Sequence, residues 1–259
     1  MEDLFGLAGK TAVVTGGSRG IGEMIAEGLV DVGAKVIITA RKADALEATA
    51  QRLRDKGGDV TAIPADLSDP DGLAAFAAAV LEEMPSLDIL VNNAGASWGA
   101  PLGEYPVDGW DKVMNVNVRS VYFLTEALID GLRAGATAAD PARVINIGSV
   151  DGLRSPTMET FAYSSSKAAV HQLTKHLANR LAREHVRVNA IAPGPFESKM
   201  MAFALKDEEL RAAVANDVPV GRIGAPDDMA GAAIFLSSKA GAYLTGAVLP
   251  VGGGISSAE

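Results

Sequence analysis

Seven short apolar runs, mostly separated by stretches long enough to form a helix, constrain the fold of this chain more than any other feature. The runs are rich in Val and Ile and nearly uninterrupted, as expected for strands buried on both faces. Such strands pair in parallel when a helix-length crossover joins them. The alternation therefore predicts an α/β fold with a doubly wound, seven-stranded parallel sheet and helices on both faces. The predicted strands are 11–15, 35–39, 60–64, 87–91, 142–148, 186–192 and 247–251. The predicted helices are 20–32, 42–56, 70–84, 108–133, 160–184, 207–216 and 226–238.

No interdomain linker interrupts the alternation, so residues 1–259 are predicted to form a single domain. The longest irregular segment, residues 193–225, contains several apolar residues and a short helix. It is therefore predicted to lie over a pocket as a substrate lid. An ordinary surface excursion that packs its own apolar side chains is the alternative.

Charge and composition argue against several classes of partner. A formal net charge of −9 disfavours nucleic-acid binding, because phosphate backbones are held by clustered cations. No apolar run reaches the length of a membrane span, and the acidic N-terminus differs from that of a signal peptide. With no cysteine, and three histidines that lack metal-ligand spacing, no metal site is expected. These observations predict a cytoplasmic protein with no membrane partner.

A glycine-rich turn joins the first strand to the first long helix, in the run Thr15-Gly-Gly-Ser-Arg-Gly-Ile-Gly22. Glycines leave backbone N–H groups bare at a helix N-terminus, and this arrangement binds pyrophosphate. The spacing differs from G-x-G-x-x-G, and a purely structural turn is the alternative. The predicted cofactor-binding residues in the turn are Gly16, Ser18, Arg19, Gly20, Ile21 and Gly22.

The end of the second strand indicates which dinucleotide binds. Arg41 and Lys42 stand where dinucleotide-binding folds place an acidic residue for NAD or an arginine for the NADP 2′-phosphate. Arg41, together with Arg19 of the glycine turn, can form bidentate bonds to a dianionic phosphate. A solvated helix start is the alternative interpretation. The predicted cofactor is NADP(H).

Tyr163 and Lys167 are four residues apart at the start of a predicted helix, so both project from one face. Ser149 ends the fifth predicted strand, at the carboxyl edge where ligands bind in such sheets. A lysine cation beside a tyrosine stabilises the phenolate and lowers the tyrosine pKa. A serine hydroxyl can hold a carbonyl oxygen while hydride reaches its carbon.

Together with further motifs, these residues resemble the short-chain dehydrogenase/reductase family over residues 7–256, in its compact branch with a single-domain Rossmann fold. The chain is most similar to its 3-oxoacyl-[acyl-carrier-protein] reductases, including the type associated with rhamnolipids. The matching landmarks are Thr15–Gly22, Asp66-Leu67, Asn92-Asn93-Ala94-Gly95, Asn117, Ser149, Tyr163-Ser-Ser-Ser-Lys167 and Pro193-Gly194.

The resemblance implies a role for each matching position. Tyr163 is the expected proton donor in reduction, and Lys167 is expected to lower its pKa and bind the nicotinamide ribose. Ser149 is expected to orient the carbonyl, and Asn117 to hold a water of the proton relay. The remaining cofactor contacts implied by the resemblance are Asp66, Leu67, Asn93, Ala94, Gly95, Pro193, Gly194 and Ser198.

The substrate is expected to be a ketone, such as a 3-oxoacyl thioester on an acyl carrier, or the corresponding alcohol. Tyr163 follows Ser149 by fourteen residues, one more than is commonest in the family, so analogy describes the intervening substrate loop less well. Apolar and methionine side chains around the nicotinamide suit an extended apolar substrate, although ordinary packing is the alternative for each. The predicted substrate contacts besides Ser149 are Trp98, Leu153, Met158, Phe161, Met200 and Phe203.

Two other functions stay open from the sequence. One is an alcohol, sugar or steroid dehydrogenase of the same family, and the other is a cofactor-sensing protein that has lost its chemistry. The resemblance also implies a homotetramer, or a dimer. The Ala-rich helices 108–133 and 160–184 permit such packing.

Overall fold

A computed structural model describes residues 2–197 and 207–257 of the chain. Its seven strands form one sheet in the order β3-β2-β1-β4-β5-β6-β7, and every neighbouring pair is parallel. The seven predicted strands are confirmed, and no strand end differs from its prediction by more than two residues. The strands are β1 Thr11–Thr15, β2 Lys35–Thr39, β3 Val60–Ala62, β4 Ile89–Asn92, β5 Ala142–Ile147, β6 Val186–Pro193 and β7 Val248–Val251.

Helices connect these strands. A short helix α1, Glu2–Phe5, precedes the sheet and was not expected from the sequence. The other α-helices are α2 Gly20–Asp31, α3 Ala43–Asp55, α4 Pro70–Glu83, α5 Val107–Met114, α6 Ser120–Ala127, α7 Ile129–Ala134, α8 Phe161–Leu181, α9 Glu208–Asn216 and α10 Pro226–Ser237. None of the helices within the described ranges is both long enough and apolar enough to span a bilayer.

Alternate strand residues face two separate hydrophobic cores, as the pleat requires. Ala12 and Val14 of β1 lie in the core that is covered by α2, α3 and α10. Val13, between them, lies in the core that is covered by α4, α6 and α8. Both faces of the sheet are therefore buried, which explains why the strands lack polar alternation. The predicted doubly wound α/β architecture is confirmed.

The prediction of one continuous helix over 108–133 was wrong. A π-helical turn, Asn115–Arg119, separates α5 from α6, and Leu128 separates α6 from α7. A π-turn inserts an extra residue into a helical turn and often marks a functional site. Helical periodicity does not reveal such an insertion, because the apolar spacing on either side still fits a helix.

The two ends of the predicted lid segment, 193–225, lie against each other. Phe196 is buried and forms a β-bridge with Gly224, whose amide N–H donates to the Pro195 carbonyl at 2.9 Å. A Cβ on Gly224 would lie 2.4 Å from the Phe196 ring, so a residue without a side chain is needed there. Residues 198–206 lie outside the described residues, and the lid itself stays a prediction.

Candidate active site

The carboxyl ends of five adjacent strands bring the predicted site residues to one edge of the sheet. The glycine turn follows β1, Arg41 follows β2 and Asn93 follows β4. Ser149 follows β5, and Pro193 ends β6. Parallel strands place all these ends on the same side, at the position where open α/β sheets bind ligands. The order of the strands therefore brings motifs that are distant in sequence together in one cleft.

The glycine turn has the backbone shape that a phosphate-binding turn requires. Gly16 and Gly20 have φ values of +66° and +57°, in the left-handed region that other residues rarely adopt. A Cβ on Gly22 would lie 2.4 Å from the Gly16 carbonyl oxygen, so the helix start packs directly against the turn. Bare backbone at the N-terminus of α2 therefore fits the pyrophosphate of a dinucleotide.

Thr15 and Asn93 fasten this turn to the end of β4. The Thr15 hydroxyl oxygen accepts the backbone N–H groups of Asn93 and Ala94, both at 2.9 Å. The Asn93 side-chain amide donates to the Thr15 carbonyl at 2.8 Å and the Gly16 carbonyl at 3.3 Å. The side chain and the backbone N–H of Asn93 are thus occupied by the turn, which leaves its backbone carbonyl for contact with a ribose. This role of Thr15 was not predicted from the sequence.

The adenine end of the cleft carries exposed cations. Arg19 and Lys42 are the N-cap residues of α2 and α3, and both are exposed. Arg41 is also exposed, and its guanidinium lies 3.9 Å from the carboxylate of Asp66. Hydrogen bonds from Ser68 and the charge of Arg41 lower the pKa of Asp66. Two arginines and a lysine suit a 2′-phosphate better than a ribose hydroxyl.

The side chains of two predicted cofactor-binding residues pack in the hydrophobic cores and not in this cleft. Leu67 is buried in the core beneath α4, so only its backbone is available to an adenine. Ile21 is half-buried and packs against the opposite core. Their hydrophobicity serves the packing of the helices that frame the cleft.

Ser149, Tyr163 and Lys167 come together as the sequence predicts. The Ser149 hydroxyl lies close enough to the Tyr163 hydroxyl to lower its pKa, against the effect of burial. Lys167 lies one turn further along α8, and its Nζ is 5.5 Å from the centre of the Tyr163 ring. The ammonium of Lys167 donates to the carbonyl of Ile147, at the end of β5, at 2.8 Å. The strand end and the helix are thereby tied together beneath the reacting groups.

The pKa of Tyr163 shifts in the direction opposite to the one expected from the sequence. Burial raises the pKa of Tyr163 to about 12; the hydrogen bond with Ser149 opposes this shift and the charge of Asp151 adds to it. Burial also lowers the pKa of Lys167 to about 8. In the cofactor-free protein, desolvation of the phenolate therefore outweighs the influence of the lysine. At neutral pH Tyr163 is protonated, which is the form that can donate a proton.

Asn117 lies within the π-turn, and its side chain is almost fully buried. The side-chain amide donates to the Ala96 carbonyl and to the Ser166 hydroxyl, both at 2.9 Å. The Asn117 side-chain oxygen accepts the backbone N–H of Ala96 at 2.8 Å. Ser166 in turn donates to the carbonyl of Tyr163 at 2.7 Å. The asparagine thus links the segment after β4 to the helix that carries the tyrosine.

Gly95 follows β4 and Gly194 follows β6, at the edge of the sheet where the site lies. A Cβ on Gly95 would lie 3.4 Å from Oδ1 of Asn117 and 3.8 Å from Nζ of Lys167. A Cβ on Gly194, which follows Pro193, would lie 2.6 Å from the Cα of Gly252. A Cβ on Gly95 would make ordinary contacts, whereas one on Gly194 would overlap the backbone of Gly252, so a residue without a side chain is needed at Gly194.

Exposed apolar side chains border the tyrosine end of this cleft. The segment after β4 packs on the start of α8, because the N–H of Ala100 donates to the Glu159 carbonyl at 3.2 Å. The predicted contacts Trp98, Met158 and Phe161 are exposed on these segments, and Leu153 is exposed after the 3₁₀ turn that follows Ser149. Three further predicted contacts, Ser198, Met200 and Phe203, lie outside the described residues.

The site contains two titratable residues that sequence analysis did not include. Asp151 is half-buried two residues after Ser149, in the 3₁₀ turn Val150–Gly152. His171 is buried beneath that turn, one helical turn beyond Lys167. The position of Asp151 in the substrate loop was the available signal, and the i, i+4, i+8 spacing of Tyr163, Lys167 and His171 was the other.

Comparisons with known proteins agree with this geometry. A family model described as enoyl-(acyl carrier protein) reductase matches residues 16–256. The chain is 52% identical over 254 residues to the rhamnolipids biosynthesis 3-oxoacyl-[acyl-carrier-protein] reductase of Pseudomonas aeruginosa, covering 98% of this chain and 99% of the relative. It is 36% identical over 254 residues to gluconate 5-dehydrogenase of Gluconobacter oxydans, covering 98% and 97%.

A solved structure extends the similarity to the whole fold. The Pseudomonas aeruginosa RhlG/NADP active-site complex has a TM-score of 0.96 and 52% identity, with 99% of this chain and 100% of that chain covered. The order of the strands, the cleft at their carboxyl ends and the extent of these matches lead to one conclusion. The chain belongs to the short-chain dehydrogenase/reductase family of oxidoreductases.

Proposed function

We propose that this protein uses NADPH to reduce the ketone of a 3-oxoacyl thioester or of a similarly bulky, apolar substrate. The observation that carries the proposal is the meeting of Ser149, Tyr163 and Lys167 at one point, where burial of the Tyr163 hydroxyl keeps the phenol protonated at neutral pH. A protonated tyrosine is prepared for reduction, whereas oxidation of an alcohol requires a base. The similarity to a 3-oxoacyl-[acyl-carrier-protein] reductase supports the thioester.

The residues that would hold the cofactor divide along the cleft. The glycine turn from Gly16 to Gly22 would take the pyrophosphate, and Arg19 and Arg41 the 2′-phosphate. Gly95 and Lys167 lie at the nicotinamide end. The similarity to a relative solved with NADP supports this assignment. When bound, NADPH supplies the hydride for the carbonyl carbon.

The chain's own groups complete the reduction. The Ser149 hydroxyl holds the carbonyl oxygen, and the Tyr163 hydroxyl donates the proton that turns this oxygen into the product's alcohol. The Lys167 ammonium donates to the Ile147 carbonyl at 2.8 Å and lies beside the Tyr163 ring, where its charge stabilises the phenolate left by that transfer. Asn117 holds the backbone around Ala96 and so shapes the wall next to these groups.

The apolar rim indicates where the rest of the substrate lies. Tyr105 makes edge-to-face contacts with Trp110 and Phe161, with ring centres 6.2 Å and 6.0 Å apart. The hydroxyl of Tyr105 donates to the carbonyl of Trp98 at 2.9 Å. This aromatic group gives the mouth of the cleft a fixed apolar wall, suited to an acyl chain. Acyl thioester carriers are the corresponding proposed partners.

The experiment is to follow NADPH and NADH oxidation with acetoacetyl thioester, longer 3-oxoacyl thioesters and a panel of simple and sugar-derived ketones. Turnover with NADPH that improves with acyl length is expected. Turnover only on sugar-derived ketones would replace the thioester by the substrate class of the gluconate 5-dehydrogenase relative. Preference for NADH would contradict the assignment of Arg19 and Arg41. The tetramer and the cytoplasmic location stay predictions.

A further inference from the structure

Asp151 holds a carboxylate within the active site that the reduction itself does not require. It lies in the 3₁₀ turn Val150–Gly152, directly after Ser149, and it is half-buried. Its charge acts on Tyr163, where it contributes to raising the pKa of the hydroxyl. A ketone reduced at this site would place its carbonyl against that hydroxyl, within reach of the same charge.

The turn that carries Asp151 is held in place from both sides. The backbone N–H of Asp151 donates to the Ser149 hydroxyl oxygen at 3.1 Å. Val150 is buried against Val218 and Ile255. Beneath the turn, a Cβ on Gly152 would lie 2.7 Å from the backbone of α8. Asp151 therefore has a fixed position relative to the tyrosine.

No cation contacts the Asp151 carboxylate within 4.0 Å in residues 2–197 and 207–257. Burial raises its pKa, and the charge of Arg154, which is exposed, opposes this shift. A half-buried carboxylate without a contacting cation projects its negative charge into its surroundings, because screening by water is reduced there.

We propose that Asp151 is a specificity-determining residue that disfavours ketones with a carboxylate near the carbonyl and thereby selects ketones that are uncharged around the reacting carbon. A 3-oxoacyl thioester meets this requirement, because its charged carrier lies at the far end of a long arm. A keto sugar acid, whose carboxylate is a few atoms from the ketone, does not. The inference rests on the proposed ketone reduction and separates the two substrate classes of the relatives.

The test compares ethyl acetoacetate with acetoacetate, which share the 3-ketone and differ in charge. The ratio of their kcat/KM values with NADPH is measured for the wild type, Asp151→Asn and Asp151→Ser. In both variants kcat/KM for acetoacetate is expected to rise about tenfold relative to the ester, because the repulsion between like charges is removed. Any effect of the variants on the Tyr163 pKa acts on both ketones and cancels in the ratio.

Glu82→Gln is the matched control, because Glu82 is exposed on α4 and its side chain makes no hydrogen bond with the described residues. It removes one negative charge away from the site. An unchanged ratio in both Asp151 variants, or an equal change in Glu82→Gln, overturns the proposal. The dissociation constants of the two ketones are also compared in Tyr163→Phe, alone and combined with each Asp151 substitution, with NADPH present. This second comparison does not depend on turnover.

This design separates the two proposals. If longer thioesters are not reduced but the ratio of ester to acid shifts in the Asp151 variants, the thioester assignment fails and the role of Asp151 stands. If thioesters are reduced with improving efficiency but the ratio does not move, the proposed function stands and the role of Asp151 fails.

Discussion

The imidazole of His171 occupies the space that any side chain on Gly148 would need. A Cβ on Gly148 would lie 2.0 Å from Nε2 of His171, and one on Gly152 would lie 2.9 Å from Cε1 of the same ring. His171 lies on α8 and is 5% exposed. The loop that carries Ser149 thus rests directly on the helix that carries Lys167. This contact sets how closely the loop and the helix approach each other, so we expect it to position the catalytic groups.

Gly148→Ala is expected to lower the free energy of unfolding by about 1–3 kcal/mol and to reduce kcat, because the new methyl group overlaps the imidazole. His171→Ala is expected to be destabilising by itself through the cavity it leaves. In the double variant Gly148→Ala/His171→Ala, the loss in the free energy of unfolding is expected to be smaller than the sum of the two single losses by about 1 kcal/mol or more. Urea unfolding of the four proteins measures this coupling.

Gly231→Ala provides the control for this cycle. Gly231 is exposed inside α10, and apart from its own helix no atom of residues 2–197 and 207–257 lies within 4 Å of where its Cβ would be. Alanine is favoured over glycine in a helix, so this variant is expected to be more stable by about 0.5–1 kcal/mol. Additive effects of the Gly148 and His171 substitutions would show that the contact between them does not position the loop.

Tyr163→Phe is expected to reduce kcat with any ketone by about a thousandfold or more, because it removes the proton donor. The dissociation constant of NADPH, measured by fluorescence titration, should change by less than about threefold. The phenyl ring keeps the packing of Tyr163, so thermal stability serves as the control for folding. Retained turnover would exclude Tyr163 as the acid. Absence of ketone turnover in the wild type would favour the cofactor-sensing alternative.

Arg41→Ala is expected to weaken NADPH binding by about ten- to a hundredfold, because a charge-assisted contact with the 2′-phosphate is lost. NADH binding to the same variant should be nearly unchanged, which separates this effect from misfolding. Arg180→Ala removes an equal charge from an exposed position near the C-terminal end of α8. It should affect neither cofactor. Equal losses for NADPH and NADH in Arg41→Ala would contradict the assignment.

The lowered pKa of Lys167 predicts that the stability of the cofactor-free protein depends on pH. Burial lowers its pKa from 10.5 to about 8, so between these values the unfolded chain binds a proton that the folded protein does not. The contribution of Lys167 to stability therefore rises with pH through this window. Compared with Lys167→Met, the wild type should gain on the order of 1–3 kcal/mol between pH 7.5 and pH 10. A constant difference in urea midpoints between the two proteins would contradict the shifted pKa.

The alternation of apolar strands and helix-length crossovers in the sequence was sufficient to predict all seven strands and the layers around them. Burial on both faces demands uninterrupted apolar runs, and this local property is visible in a linear chain. The glycine turn and the pair Tyr163 and Lys167 could likewise be predicted, because a tight turn and a single helix face are local geometries.

What depended on contacts across the chain became visible only in the tertiary structure. The hydrogen bonds of Asn117 with Ala96 and Ser166 each join residues from different parts of the chain. The same is true of the bonds between the Asn93 side chain and the glycine turn, and of the contact between His171 and the backbone at Gly148. The same holds for electrostatics: a cation beside Tyr163 predicts a lowered pKa, but burial by surrounding segments raises it to about 12. Desolvation is set by every neighbouring group together, and no spacing within the sequence encodes it.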